Sequence, residues 1–393
     1  MTTAAIILAA GHGTRMKSSR PKPLHMICGR PMVLHVIHAL EALAPASTMV
    51  VVGHGARRVT DEVRLGAPDW AHLDFAEQAR QRGTGDAAMV GLAALDAREG
   101  KTHGDVDDET TVLVMPGDTP LLRTETIAAL VREHEQSQHA ATLLVAELDE
   151  PYGYGRVVRG KDGAVTRVVE ERDATPAQRA IREVNTSIYA FKRGLLGPAL
   201  RRIKNENSQS EYYLTDVVEV LTSVGHRVGT WGTDAAEVTG VNDRWQLALA
   251  ERELRARTNR TWLLAGVTML DPRQTFVDVT VQIGRDVTLF PGVILQGRTV
   301  IGDGCVIGPS TRLTNTEVGA HCTIEQTTAS DCVVGDACEV GPYAFLPEGT
   351  KIESGTKTGA FYDGSQLTSR STESPPNGWC STAVGPTRNS RVK

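Results

Sequence analysis

Two different rhythms of apolar and polar residues run along the chain, and they change over near residue 270. Up to about residue 230, short apolar runs of strand character (Ala5–Leu8, Met49–Val52, Thr111–Met115 and Thr142–Val145) alternate with stretches of helical period. The clearest helical stretch begins at Pro31, whose fixed φ suits a first helical position, and sets Val33, Val36, Ile37, Leu40 and Leu43 along one stripe. Others run near Asp86–Leu95, Thr124–His134 and Leu214–Val224. Strands and helices alternating at this spacing predict an α/β domain with a mainly parallel sheet covered by helices. Arg156–Arg159 and Val165–Glu170, around Lys161–Gly163, predict a β-hairpin attached to that sheet.

Residues 243–262 are charged, helical in period and free of Gly and Pro, a composition that suits a helix connecting two domains as well as an ordinary surface helix. Beyond Leu270 a period of six takes over. Ile283, Leu289, Leu295, Ile301, Ile307 and Leu313 stand six apart; the register slips by one to Val318, continues at Ile324, and resumes at Val334, Val340, Leu346 and Ile352. Four residues after nearly every one sits a small residue: Val287, Val293, Thr299, Cys305, Thr311, Cys322, Cys338, Ala344, Thr350 and Thr356, with Glu317 as the exception beside the slip. This pattern predicts a hexapeptide-repeat β-helix, in which each coil buries its face only by stacking on the next. Cys305, Cys322 and Cys338 then take packing roles rather than reactive ones. Residues 363–393 keep neither rhythm, are rich in Ser and Thr and contain no Ile, so a disordered tail is expected there.

Composition narrows the function. With 42 Lys and Arg against 47 Asp and Glu the formal charge is −5, which speaks against a protein that coats nucleic acid. No apolar run approaches membrane-spanning length, and Ala4–Ala10 lacks the basic flank of a signal peptide, so a cytoplasmic protein is expected. Six cysteines without a CxxC pair argue against a disulfide scaffold and against a cysteine-rich zinc site. The chain also carries 38 glycines.

Some of those glycines carry chemistry. In IILAAGHGTRMKSSRPKPLH, residues 6–25, a buried strand delivers a glycine-rich turn whose N–H groups can approach an anion, and Arg15, Lys17 and Lys22 supply positive charge for phosphates. It is neither a Walker A loop nor a dinucleotide fingerprint, since no GK[ST] follows and Met16 stands at the third glycine position. Gly117-Asp118-Thr119-Pro120 follows directly on a strand, where catalytic groups of open α/β sheets gather, and a carboxylate there suits a magnesium ion beside phosphates. An Asp shaping a turn before Pro is the plainer alternative. His35 and His38, without an HExxH pattern, read as helix-surface residues.

LAAGHGTRMKSSRPKPLH resembles the sugar-nucleotide pyrophosphorylase signature, in the form found in bacterial N-acetylglucosamine-1-phosphate uridylyltransferases, the amino-terminal half of the bifunctional GlmU family. Further matches follow in order: Gln78 with Arg82-Gly83-Thr84-Gly85, Pro116-Gly117-Asp118, Gly153-Tyr154-Gly155-Arg156, Val169-Glu170, Glu183-Val184-Asn185-Thr186, Glu211-Tyr212-Tyr213-Leu214-Thr215-Asp216 and Gly240-Val241-Asn242. The resemblance implies a Rossmann-like nucleotidyltransferase domain over residues 1–242, a linker helix over 243–264 and a shortened left-handed β-helix over 265–362. It implies that Leu8, Ala9, Ala10 and Gly11 hold the nucleotide, with Arg15 and Lys22 on its phosphates. Gln78, Gly83 and Thr84 would read uracil; Pro116, Gly117, Gly155, Glu170 and Asn185 would hold the sugar phosphate; Asp118 and Asn242 would bind one or two Mg²⁺. Asp243 departs from many relatives, which have Asn there. The implied reaction joins UTP and N-acetylglucosamine 1-phosphate to form a cell-wall precursor, in a homotrimer built through the β-helix.

The resemblance implies a second activity, acetyl transfer from acetyl-CoA to glucosamine 1-phosphate, and here the residues depart from it. Pro347 stands where the family has Arg, Ser365 where it has Lys, and the Ser/Thr-rich tail replaces the stretch with the catalytic His. Uridylyl transfer without acetyl transfer is therefore expected. The competing readings are another sugar-1-phosphate nucleotidyltransferase, using glucose 1-phosphate with UTP or a thymidine nucleotide, and a non-catalytic scaffold of the translation-initiation exchange-factor kind.

Overall fold

A computed structural model describes residues 2–100 and 110–365, and the chain divides into two compact units, residues 1–258 and 259–393. In the first unit the strands are β1 (Thr3–Ala9), β2 (Met26–Ile27), β3 (Arg30–Pro31), β4 (Ser47–Val52), β5 (Leu73–Glu77), β6 (Thr111–Pro116), β7 (Ala141–Glu147), β8 (Gly155–Arg159), β9 (Val165–Val169), β10 (Glu183–Lys192) and β11 (Val228–Gly232). Its helices are α1 (Met32–His38), α2 (Ala56–Gly66), α3 (Thr84–Arg98), α4 (Thr124–Ser137), α5 (Pro176–Arg179), α6 (Arg193–Leu200) and α7 (Asp216–Ser223). Helix α8 (Arg244–Leu264) runs across the division between the units.

The main sheet has the order β11-β7-β10-β6-β1-β4-β5, with the β8–β9 hairpin hung on β10. β1 is parallel to both β4 and β6, whereas β10 runs antiparallel to β6 and β7. Strands β1 and β6 are apolar on both faces, as a sheet covered on two sides requires. Ile6, Val51, Val114 and Leu143 face one core, and Ile7, Val50, Leu113 and Leu144 the other.

The helical stripe from Pro31 is shorter than its periodicity suggests. Pro31 precedes the helix in an extended conformation, α1 stops at His38, and Leu40 and Leu43 follow in turns while still packing inward. His35 corrects the surface reading of that helix: it is buried, with Nε2 2.9 Å from the Ile27 carbonyl oxygen. His38 is half-buried, edge-on to Trp70 at 6.5 Å.

The second unit is a parallel β-helix with three five-stranded sheets. Thr288 pairs with Val306, Val306 with Thr323 and Thr323 with Glu339, so successive coils take 18, 17 and 16 residues. The six-spaced aliphatic residues are buried, and Ala329 occupies the inward position that periodicity left blank between Ile324 and Val334. At the shortened corners the small inward residues are Thr316, Thr327 and Cys332, each two places before the next aliphatic. The small residue therefore keeps its distance to the strand it enters, which explains Glu317: the shortened turn moves the inward position to Thr316. Asp363 bridges to Phe345, and the Gly364 N–H bonds the Phe345 carbonyl at 2.9 Å, so the first residues of the expected tail continue the solenoid. The rest of that tail lies outside the described residues.

Candidate functional site

In the α/β unit the chain leaves β1 toward β4 on one side, while β6 lies on the other. Loops after β1 and β6 therefore face each other at the carboxyl ends of these strands, the usual ligand crevice of an open sheet. Leu8, Ala9 and Ala10 carry β1 into the turn, and the Gly117 N–H donates to the Leu8 carbonyl at 2.9 Å, locking Pro116–Asp118 beside it. A Cβ on Gly11 would meet nothing within 4 Å, so open space lies over this backbone. Gly13 is constrained: its φ is +60°, and a Cβ there would stand 2.6 Å from the Cβ of Lys22.

This close approach brings Lys22 inward. Its ammonium pairs with the Asp118 carboxylate and donates to the Asn242 side-chain oxygen at 2.9 Å. Arg15 donates to the same oxygen at 2.9 Å. Four residues spread over more than two hundred positions thus meet at one point.

Asn242 is held from behind. Its N–H bonds the Gln246 side chain at 2.7 Å, Asp243 caps α8 by accepting from the Gln246 N–H at 2.8 Å, and the Val241 N–H bonds the Asp118 carbonyl at 2.9 Å. Asp243 therefore has a structural task beside the site. The D-x-x-Q spacing at the start of the charged helix was the available signal for Gln246, which sequence reasoning passed over.

Asp118 and Asn242 offer two hard oxygen donors within reach of a single cation. Among the described residues no group of three or more His, Cys, Asp and Glu could hold a metal. The chemistry suits Mg²⁺, which takes one or two protein ligands and fills its octahedron with phosphates and water.

A second set gathers at the start of α3. Gln78 is buried, with its N–H on the Val52 carbonyl at 2.8 Å and its side-chain amide donating to Asp86 at 2.7 Å and to the Gly83 carbonyl at 3.2 Å. Gly83 has φ +108°, and a Cβ there would stand 2.5 Å from the Tyr212 carbonyl. Thr84 accepts from the Leu214 N–H at 3.0 Å, and the Gly85 N–H bonds the Tyr212 carbonyl at 2.8 Å. The strap 211–216, quoted in the sequence only as a motif, thus fastens this set.

The same strap leads to a third set. Thr215 donates to Glu170 at 3.1 Å, a Cβ on Gly155 would stand 3.6 Å from Glu170 Oε2, and Asn185 pairs with Gly155 across β10 and β8. Burial pushes the Glu170 carboxyl up, with Thr215 opposing and Asp173 adding to the rise. Asp216 is pushed up to about 6 by burial and by Glu219, Glu170 and Asp173. Asn185 is buried, and its Oδ1 has no hydrogen-bond partner. Tyr154, the chain neighbour of Gly155, lies toward the first set. Burial raises its phenol pKa, a hydrogen bond to the Gly240 backbone opposes the rise, and the Asp118 charge adds to it. Sequence reasoning assigned Tyr154 no role.

Comparison with known proteins comes in two layers. Residues 5–206 match the family described as MobA-like NTP transferase domain, and residues 280–315 match the bacterial transferase hexapeptide (six repeats). A bifunctional protein GlmU of Streptomyces coelicolor is 46% identical over 362 residues, covering 92% of this chain and 73% of that protein. Bifunctional GlmU proteins of Mycobacterium bovis and Mycobacterium tuberculosis are each 44% identical over 363 residues, covering 92% of this chain and 72% of theirs.

Proposed function

This chain belongs to the GlmU family of nucleotidyltransferases with hexapeptide repeats, and on that premise we propose that it transfers the uridylyl group of UTP to N-acetylglucosamine 1-phosphate. A phosphate oxygen of the sugar phosphate attacks the α-phosphorus in line, the bond from that phosphorus to the β-phosphate bridge breaks, and pyrophosphate leaves. The observation that carries this reading is the meeting of Arg15, Lys22, Asp118 and Asn242 at the crevice between the β1 and β6 loops.

Two anions must approach each other, so positioning and charge stabilisation supply the catalysis and no covalent intermediate is needed. Arg15 and Lys22 neutralise the triphosphate over the open backbone of Gly11. Bound at Asp118 and Asn242, Mg²⁺ would supply further charge neutralisation on the phosphates. With both N–H groups of the Gln78 amide engaged, its oxygen is left to accept from uracil, beside Gly83 and Thr84. Gly155 lets the sugar approach the backbone, while Glu170 and Asn185 hold it.

Residues 1–242 carry this activity, α8 connects, and 265–362 form the repeat domain, through which we assign a homotrimer. Outward Val300, Val333 and Phe345 support that assignment, being apolar yet well exposed. We assign no acetyl transfer to the chain: Pro347 brings no cation, and its carbonyl accepts from Thr350 Oγ1 at 2.7 Å in a plain turn. The test is pyrophosphate release with Mg²⁺, each nucleoside triphosphate in turn, and N-acetylglucosamine 1-phosphate or glucose 1-phosphate. Release confined to UTP with the N-acetyl sugar is expected; release with no pair would leave only a scaffold. Robust turnover of acetyl-CoA with glucosamine 1-phosphate would refute the loss of the second activity.

A further inference from the structure

Asn185 is hydrogen-bonded in an unusual way. In a regular strand, residues four apart share a face but stand about 13 Å from each other along the chain. Strand β10 is not regular here: Asn185 lies opposite Val145 and Tyr189 opposite Leu143, so four steps on β10 match two on β7. Ser187, with φ +63°, takes up the excess, and Thr186 pins the bulge by donating to the Leu144 carbonyl at 2.8 Å. The bulge brings the Asn185 amide nitrogen to 2.7 Å from the Tyr189 hydroxyl oxygen.

Tyr189 itself is rigid. It is 1% exposed in the middle of the sheet, paired to Val114 on one side and Leu143 on the other, and its ring stacks on Phe191 at 5.4 Å. The amide has two ends, and the Tyr189 hydroxyl, which also hydrogen-bonds the Ser187 side chain, gives its proton there and accepts from the amide nitrogen. With the nitrogen committed to Tyr189, the oxygen is left as a buried acceptor without a partner. An unmet buried acceptor is costly to leave in a folded protein, so it marks a place where a donor is expected.

We propose that Tyr189 is a positioning residue that sets the roll of the Asn185 amide, presenting Oδ1 to a hydrogen-bond donor on the sugar ring of the sugar phosphate. This rests on the reading that Asn185 holds the sugar. The donor is either the N–H of an acetamido group or a ring hydroxyl; both present the same chemistry to Oδ1.

The test uses Tyr189→Phe, which keeps the ring and its stack on Phe191, alongside Asn185→Ala. Tyr189→Phe should raise KM for N-acetylglucosamine 1-phosphate about ten-fold, the size of one hydrogen bond in a buried site, with KM for UTP unchanged. A merely structural role would move both KM values or the melting temperature instead. If Asn185→Ala leaves the sugar KM untouched, the assignment of Asn185 to the sugar fails. If Asn185→Ala raises it and Tyr189→Phe does not, the positioning role alone fails. Sugar 1-phosphates lacking the donor at C2, C3, C4 or C6 then locate the partner. The analogue missing it should bind wild type and Tyr189→Phe with equal KM, and sensitivity of all four to Tyr189→Phe would overturn the proposal.

Discussion

The two units of this chain use the same covalent material in opposite ways. In the α/β unit, residues as distant as Arg15 and Asn242 share a hydrogen bond, and charge is concentrated where strands end. In the β-helix, contacts are between one coil and the next. The Cys305 thiol bonds the Gly319 carbonyl, the Cys322 thiol bonds the Gly335 carbonyl and the Cys338 thiol bonds the Glu353 carbonyl, each about one coil on. Convergence of distant segments creates a place where anions can be held; repetition creates a scaffold whose every layer resembles its neighbour. Damage should therefore separate: chemistry lost without stability in the first unit, stability lost without chemistry in the second.

The sharpest test of that separation is Asp118→Ala. Removing this carboxylate should lower uridylyl turnover by about a thousand-fold or more, with the melting temperature nearly unchanged, because Asp118 lies at a strand end rather than in a core. Pyrophosphate release beside a thermal melt reads both quantities, and near-normal turnover would remove Asp118 from the mechanism.

The converse experiment is Leu313→Ala. This side chain is fully buried in the solenoid, and its loss should cost about 2–5 kcal/mol through the cavity it leaves. Turnover per folded molecule at low temperature should stay as in the wild type. A matching loss of kcat would show that the two units are not separable in this way.

Acid should also distinguish the units. His35, His38 and His134 are pushed down to about 4, in each case chiefly by burial. The unfolded chain takes up these protons first, near its ordinary histidine pKa of about 6.5, so it binds more protons than the folded chain between that value and 4. The contribution of these rings to the stability of the α/β unit is therefore fully present above pH 6.5 and is lost as pH falls toward 4. By pH 5 the loss is at most about 2 kcal/mol for each of the buried rings of His35 and His134. The described part of the solenoid holds only the exposed His321, so its melting should change little over this range. Denaturant melts at pH 7, 6 and 5, read by a probe in each unit, decide the point.

The smallest expected effect comes from Asp216, whose raised pKa has the opposite sign. The folded chain holds this proton up to about pH 6 and the unfolded chain only to about 4, so its contribution is lost as pH rises between those values. Asp216→Asn should stabilise the α/β unit near neutral pH by about 1 kcal/mol after solvent screening is allowed for. The same pH dependence of stability in wild type and Asp216→Asn between pH 4 and 7 would contradict it.

The architecture was open to view in the amino-acid order because both periods are local. Alternating strands and helices depend on neighbours a few residues away, and the solenoid repeats its instruction at every corner. Even there one rule needed coordinates: the small residue follows the coming strand, so shortened corners displaced it to Thr316, Thr327 and Cys332. Glycine positions in the turn after β1 were legible for a similar reason, since a positive φ at Gly13 is a property of one residue. His35 was misjudged because its burial comes from the short β2–β3 ribbon that covers the helix, and no helical period reports that.

Motifs could name Asp118, Asn185 and Asn242, yet no spacing along the chain states that Lys22 spans Asp118 and Asn242, or that Gln246 fixes Asn242 from behind. Those relations depend on strand order: only when β6 lies beside β1 do loops a hundred residues apart share a crevice. The orientation of the Asn185 amide belongs to the same class. Its sequence neighbours describe an ordinary strand, and a bulge against β7 converts that strand into a hydrogen bond that leaves one oxygen waiting for a donor. Local preferences are written residue by residue, whereas the pairing of distant charges and the satisfaction of buried polar groups are settled by the folded chain as a whole.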